Sequence, residues 1–366
     1  MTYEFEKKEA TAKLEQEKKD AIALEESQKQ KIVRNAFIAG FILMMILAVF
    51  IFRSYRNKQK ANKIILSQKN EVEKQKTIVD QKQKQIVDSI NYAQRIQNSI
   101  LVSEQEIQKQ FQNCFVFYKP RGIVSGDFYW FSEVESSELG VRSSELGGAS
   151  TSDSQQTKHA ELKSPNTELI VVCADCTGHG VPGAFLSMVG NTLLNEIVTH
   201  NKITDPAEII KKLSIGLSAT LKNKEGEENT DGMDISICKI NLNTKKIQFA
   251  GANQSLYIVN NDGVKKIEPQ INSINGILGL NENEKINSLE IIPSQNSMIY
   301  LTSDGYTDQI GEKSLKKYLG GRFEKTLSEI FNHDITEQKT ILEKNLMNWK
   351  GKMNQVDDVL VMGFRI

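Results

Sequence analysis

The sequence predicts an α+β protein: a long, nearly unbroken helix leading into stacked β-sheets flanked by helices. Three observations predict it. All 6 prolines lie beyond residue 119, and of the 23 glycines only Gly40 precedes that point, so little interrupts a helix over the first third. From Cys114 onward, short apolar runs alternate with turns, and several are continuous Val/Ile/Leu/Phe runs, as in strands covered on both faces. Helical spacing falls in separate blocks between those runs, which favours sheets flanked by helices over alternating βα units.

Composition excludes several classes. The 366 residues carry 46 Lys plus Arg and 46 Asp plus Glu, a formal net charge of zero, which argues against a dedicated nucleic-acid binder. Four cysteines exclude a disulfide-stapled secreted scaffold, and 39% hydrophobic residues exclude wholesale disorder.

Residues 1–34, rich in Glu, Lys, Gln and Ala, form a polar helix too short to fold alone. Residues 35–52, NAFIAGFILMMILAVFIF, carry no charge and are bounded by Arg34 and Arg53. At 1.5 Å per residue they span roughly 27 Å, close to the hydrocarbon thickness, so a transmembrane helix is expected. A cleaved signal peptide does not suit so long and late a run. The following flank, RSYRNKQKANK, holds five cations and no acid, which places the C-terminal side in the cytoplasm and the N-terminal helix outside.

Residues 53–109 continue as a polar helix. Ile65, Val72, Val79, Ile86, Ala93, Ile100 and Ile107 recur every seven residues, but the companion position three later is polar at Gln68, Gln75, Lys82 and Ser89. That pattern suits a marginal parallel coiled coil over about 62–108, a homodimer seam that tethering to a membrane would reinforce. No recognisable sensor precedes the span, so the stimulus is expected to enter through a segment or subunit beyond it.

Residues 110–366 form the strand-rich domain. Its strands are expected at CFVFYKP, DFYWF, ELIVVCAD, MDISICKINL, KIQFAGA, SLYIV, SMIYLTSD and DDVLVMGFRI, with helices over 183–200, 206–222 and within 314–350. Residues 132–168 contain SSELG twice in a polar stretch and read as a disordered insertion in a hairpin loop.

The candidate chemistry lies where strands stop. Asp127 follows IVSG, Asp175 ends LIVVCAD, Asp304 ends MIYLTSD, and Asp357 and Asp358 open the last strand. Converging carboxylates cannot all stay ionised unless cations neutralise them, and oxygen-only ligation without clustered His selects Mg²⁺ or Mn²⁺ over zinc. Cys173 and Cys176 form C-x-x-C but lack a second pair, so Cys173 reads as a small buried strand residue. His179 has no His partner for acid–base work, and Arg121 is a candidate phosphate ligand that could equally be a surface cation.

IVSGDFYWF, ADCTGHGVPGAFLSM, LTSDGYTD and DDVLVMG, in that order, resemble the SpoIIE-type branch of metal-dependent serine/threonine phosphatases, the protein phosphatase 2C superfamily. SINYAQRIQNSIL resembles the helix leading into this domain in membrane-bound bacterial members. The resemblance implies a four-layer αββα sandwich and two Mn²⁺ or Mg²⁺ ions. It implies Asp175 bridging both ions, with the Cys176 carbonyl and Asp127 on one and Asp304 and Asp357 on the other; Asp358 would stand behind them. It further implies water-mediated hydrolysis of phosphoserine or phosphothreonine on a regulatory protein, often of the anti-anti-sigma type, at the inner membrane. Leu360 and Asn253-Gln254 depart from the family pattern, which bears on substrate fit and leaves the four acids intact. The alternative is a non-catalytic signalling scaffold that keeps the fold and binds a partner; a decayed site should have lost at least one acid.

Overall fold

The computed structural model describes residues 2–111, 113–135, 167–221, 231–275 and 286–366. The chain forms two compact units, Met1–Gln85 and Ile86–Ile366. Helix α1 runs from Thr2 to Ile100. Its first unit is helical throughout the described residues, and residues 35–52 are exposed, as an apolar lipid-facing helix would be without lipid. By length and composition α1 is able to cross a membrane.

The compact second unit begins at Ile86, inside the segment 53–109 expected as one signalling helix. Burial along the heptad row rises gradually, with Ala93 and Ile100 partly buried. Ile65, Val72, Val79 and Ile86 are exposed, whereas Ile107 is fully buried on a separate helix, α2 (Glu104–Gln110). α1 stops at Ile100, and Ser103 then starts α2 in a reciprocal capping box with Glu106, so the last heptad position lies in the core.

The strands and helices follow as β1 (Cys114–Lys119), β2 (Phe128–Glu135), β3 (Thr167–Cys176), α3 (Val181–Leu194, extended by a π-helical turn, Asn195–His200) and α4 (Pro206–Leu221). Next come β4 (Gly232–Asn241), β5 (Ile247–Ala252), β6 (Leu256–Asn260), β7 (Gly263–Ile267), β8 (Ile274–Asn275), β9 (Leu289–Ile291) and β10 (Met298–Thr302). The chain ends with α5 (Gly305–Asp308), α6 (Gly320–Ile330), α7 (Ile335–Lys350) and β11 (Val359–Arg365). β2 extends to Glu135 and β3 starts at Thr167, inside the expected loop at both ends; residues 136–166 lie outside the described residues. The short strands β7, β8 and β9 were not expected. β7 and β9 are sheet edges with little apolar alternation, so their pairing comes from the neighbour strand rather than from their own pattern.

Two antiparallel sheets result, ordered β1-β11-β10-β6-β7 and β2-β3-β4-β5-β9, with β8 beside β4. Alternation along β3 assigns its faces. Leu169, Val171 and Cys173 join residues of the other sheet, such as Val116, Ile299, Leu301 and Met362, in the central core. Ile170, Val172 and Ala174 face Leu186, Ile210, Leu213 and Leu217 of α3 and α4. On the outer face of the other sheet, Tyr300, Val359 and Val361 pack against Phe323, Leu327, Leu342 and Leu346 of α6 and α7. Three apolar layers between four structural layers make the αββα sandwich. Both faces of each central strand are covered, which is why their sequences read as unbroken apolar runs.

Candidate active site

Antiparallel pairing brings the start of one strand beside the end of its neighbour. β2 and β3 pair with Phe128 opposite Ala174, so Asp127 and Asp175 meet at one end of one sheet. β10 and β11 pair with Thr302 opposite Val361, so Asp304 and Asp357 meet at one end of the other. Electrostatics ties the two pairs together. Burial pushes the Asp175 carboxyl up to about 11, and the charges of Asp127, Asp304, Asp357 and Asp234 add to the rise. Asp304 is pushed up to about 6 by burial, then by the charges of Asp308, Asp357 and Asp234. The four expected acids are thus brought together.

Asp127 is the most constrained of them. It is fully buried, and burial is the first cause raising its carboxyl well above the ordinary range. The Ser303 hydroxyl donates to Oδ2 at 2.6 Å, and Tyr118 Oη donates to its backbone carbonyl at 3.2 Å. Oδ1 has no hydrogen-bond partner among the described residues. An orphaned carboxylate oxygen beside further acids is what a divalent cation would satisfy. All the candidate donors are oxygens, so the residues present fit Mn²⁺ or Mg²⁺. Among the described residues no three acidic, His or Cys side chains close on one point as ligands.

The loops around the acids are built by close backbone approach. A Cβ on Gly126 would sit 2.7 Å from the Gly178 carbonyl and 3.0 Å from that of Cys176, so only glycine lets the two loops touch there. A Cβ on Gly305 would collide with the Asp358 carbonyl. Asp358 is buried and turned to the backbone: Oδ1 accepts the Arg121 N–H at 2.6 Å and Oδ2 the Gly126 N–H at 2.7 Å. Asp357 accepts the Asp358 N–H at 2.9 Å through Oδ1. After Asp304, the fully buried Tyr306 anchors α5, its hydroxyl donating to the Leu342 carbonyl at 3.0 Å.

Arg121 lies on the same loop as Gly126 with an exposed side chain, and only its backbone contact is part of the site's scaffold. Cys173 and Cys176 are buried, and burial drives both thiols well up, as expected of inert strand residues. Leu360 is core, and its N–H donates to the Ser303 Oγ at 3.0 Å.

Sequence reasoning missed Asp234, Asp308 and Ser303. Asp234 stands directly opposite Asp175 in the β3–β4 ladder, and Asn253, at φ 54°, donates to its Oδ2 at 2.7 Å. The signal was present, since DGMDISIC puts an acid at the start of an apolar strand, as in the other motifs. Asn253, noted as a departure, is therefore coupled to the acid cluster.

The two-sheet sandwich with acids at its strand ends has a PP2C-type serine/threonine phosphatase domain fold. The family model for Stage II sporulation protein E (SpoIIE) matches residues 165–366, and the chain belongs to that family. Asp127 lies N-terminal to the matched span. Among solved structures, the SiaA-PP2C domain of Pseudomonas aeruginosa is 24% identical, with TM-score 0.60, covering 78% of this chain and 97% of that one. The PP2C phosphatase domain and regulatory-domain fragment of SpoIIE from Bacillus subtilis is 18% identical, with TM-score 0.49, covering 69% and 63% respectively. No curated protein matches.

Proposed function

We propose that this protein is a membrane-anchored, metal-dependent protein serine/threonine phosphatase. In this reading residues 35–52 cross the inner membrane, the exposed part of α1 from Ile65 to Val79 pairs with a second copy and relays the signal, and the domain that follows works in the cytoplasm. The observation that carries the enzymatic reading is the meeting of Asp127, Asp175, Asp304 and Asp357 from two sheets.

Asp175, Asp127 and the Cys176 carbonyl would hold one divalent cation, and Asp175, Asp304 and Asp357 the other. The pair supplies a water of lowered pKa and counter-charge for the phosphoryl oxygens. The chain's own work is to hold those carboxylates oriented; burial favours their protonated form, so the cations would be what keeps them ionised. Ser303 fixes Oδ2 of Asp127 and leaves Oδ1 free; Asp358 pins the loop that carries Asp127; Tyr306 anchors the turn after Asp304. Arg121 is the candidate phosphate ligand. The substrate class is a phosphorylated regulatory protein, with an anti-anti-sigma-type partner as the specific proposal. The full chain in detergent and its 86–366 segment should both release phosphate from a phosphoserine peptide with Mn²⁺ and lose that activity with chelator. Equal turnover with and without Mn²⁺ would refute the metal reading.

The acids also set a pH signature. Asp304 and Asp175 have folded-state values raised from 3.8 to about 6 and about 11. A raised carboxyl holds its proton more tightly when folded, so the metal-free fold is favoured at low pH and loses that contribution as pH rises from about 4 through 6 and beyond. Cations replace those protons. The rise in Tm on adding Mn²⁺ is therefore expected to be larger at pH 7.5 than at pH 5, read by thermal unfolding; an equal or reversed difference would count against it.

A further inference from the structure

Past Asp304 and α5 the chain makes a hairpin over residues 309–319. Paired backbone closes its stem: the Gly311 N–H donates to the Lys316 carbonyl at 3.0 Å, and the Tyr318 N–H to that of Gln309 at 3.0 Å. Tyr318 is buried at the base, edge-on to Tyr306 and Trp349, and Trp349 Nε1 donates to the Gln309 carbonyl at 2.9 Å. The hairpin is also tied to the turn that carries Asp304. The Leu319 N–H donates to the Thr307 carbonyl at 2.8 Å, Thr307 Oγ1 to the Asp304 carbonyl at 2.8 Å, and Lys317 Nζ to Asp308 Oδ2 at 2.6 Å. The stem is therefore held firmly and borders the acid cluster.

Its outer part is unlike an ordinary surface loop. Leu315 and Leu319 are 71% and 60% exposed. Both have left-handed backbone, at φ 53° and 71°, and ψ 149° puts Leu319 near the region kept for glycine. Leucine there strains the backbone and buries little in return. Lys313 and Lys316 stand exposed beside them and form no ion pair among the described residues. Lys317 is paired with Asp308, and Glu312, the hairpin's one acid, lies against Gly351. Two strained leucines and two unpaired cations thus present an apolar, positive surface at the rim of a site whose own side chains are acids.

We propose that Lys313, Leu315, Lys316 and Leu319 form the docking surface for the substrate protein, taking an apolar side chain and acidic residues that flank its phosphorylated residue. Charge selects this occupant: a phosphorylated acidic segment is negative, and the carboxylates of the site repel it wherever no cation stands. The attachment of the hairpin beside Asp304 favours a substrate over a membrane surface. From Lys317 to Leu315, two residues of extended chain span roughly 7 Å, within reach of side chains a few positions from the phosphoryl group. The proposal rests on the phosphatase reading and deepens it by naming what the substrate must carry.

The test uses the full chain in detergent with Mn²⁺ and three probes: p-nitrophenyl phosphate, a phosphoserine peptide flanked by leucine and glutamate, and one flanked by glycine and serine. The wild type is expected to favour the leucine/glutamate peptide about 10-fold or more in kcat/KM, and by less at high salt. Leu315→Gly with Leu319→Gly should cut that preference to within about threefold and leave p-nitrophenyl phosphate turnover within about twofold of the wild type. Its Tm should be unchanged or raised, because glycine accepts the left-handed backbone. Leucines with a merely structural role would instead lower Tm and all three turnovers together. Lys313→Glu with Lys316→Glu should weaken the preference and remove its salt dependence, and it decides the question if the glycine variant does not fold. Equal kcat/KM for the two peptides in the wild type, or an unchanged preference in either folded variant, would overturn the proposal. A loss of turnover seen only in nanodiscs of anionic lipid would assign the hairpin to the membrane and overturn it too. A wild type with no Mn²⁺-dependent turnover of any probe would overturn the phosphatase reading itself, and this inference with it.

Discussion

Asp175→Asn is expected to abolish Mn²⁺-dependent phosphatase activity, lowering kcat/KM by about 1,000-fold or more, the scale for removing a group that acts with its neighbours as a unit. Asp175 is the acid felt by Asp127 and Asp304 alike, and it stands opposite Asp234 in the β3–β4 ladder. Asparagine keeps its shape and removes its charge. The same change should leave the metal-free fold as stable as before or more so, because one of several repelling carboxylates is gone. Activity and stability therefore move in opposite directions. Measurement of phosphopeptide turnover beside thermal unfolding in chelator checks both, and full activity in the variant would sink the metal model.

Asp358→Ala should do the reverse, costing stability before chemistry. Its carboxylate takes two short charge-assisted hydrogen bonds, from the backbone N–H groups of Arg121 and Gly126, at 3% exposure. Alanine would leave both without that partner beside a loop with no ladder. Each orphaned group costs about 1–3 kcal/mol, so a loss of about 3 kcal/mol or more is expected in denaturant unfolding. Asp358→Asn should recover less than half of it, since its amide group faces one of the two N–H donors with a donor of its own. A loss under about 1 kcal/mol in Asp358→Ala would show that the loop is held elsewhere.

Much of this candidate site is legible in the sequence. Asp127, Asp175, Asp304 and Asp357 each sit close to the end of an apolar run that forms a strand. That juxtaposition is a local property of the chain. Asp234 escaped notice although it also adjoins an apolar strand, because its importance comes from lying opposite Asp175. Ser303 was unreadable for a stronger reason. A serine before an Asp has no local pattern that distinguishes it from its neighbours. Only burial against a distant loop gives it a role. Ile107 shows the same limit: heptad spacing placed it on a coiled-coil seam, but α1 stops at Ile100 and a second helix, started by the capping box at Ser103, carries it into the core.

The sequence by itself determined the long breaker-free helix, the apolar strands and the acids at their ends, because periodicity, glycine and proline act within a few residues. Tertiary structure alone decided which strand ends lie side by side, which carboxylate faces backbone instead of the cluster, and that Ser303 reaches Asp127 from the other sheet. Those outcomes depend on antiparallel register and on the packing of two sheets, and such contacts join residues whose separation along the chain leaves no trace in local composition.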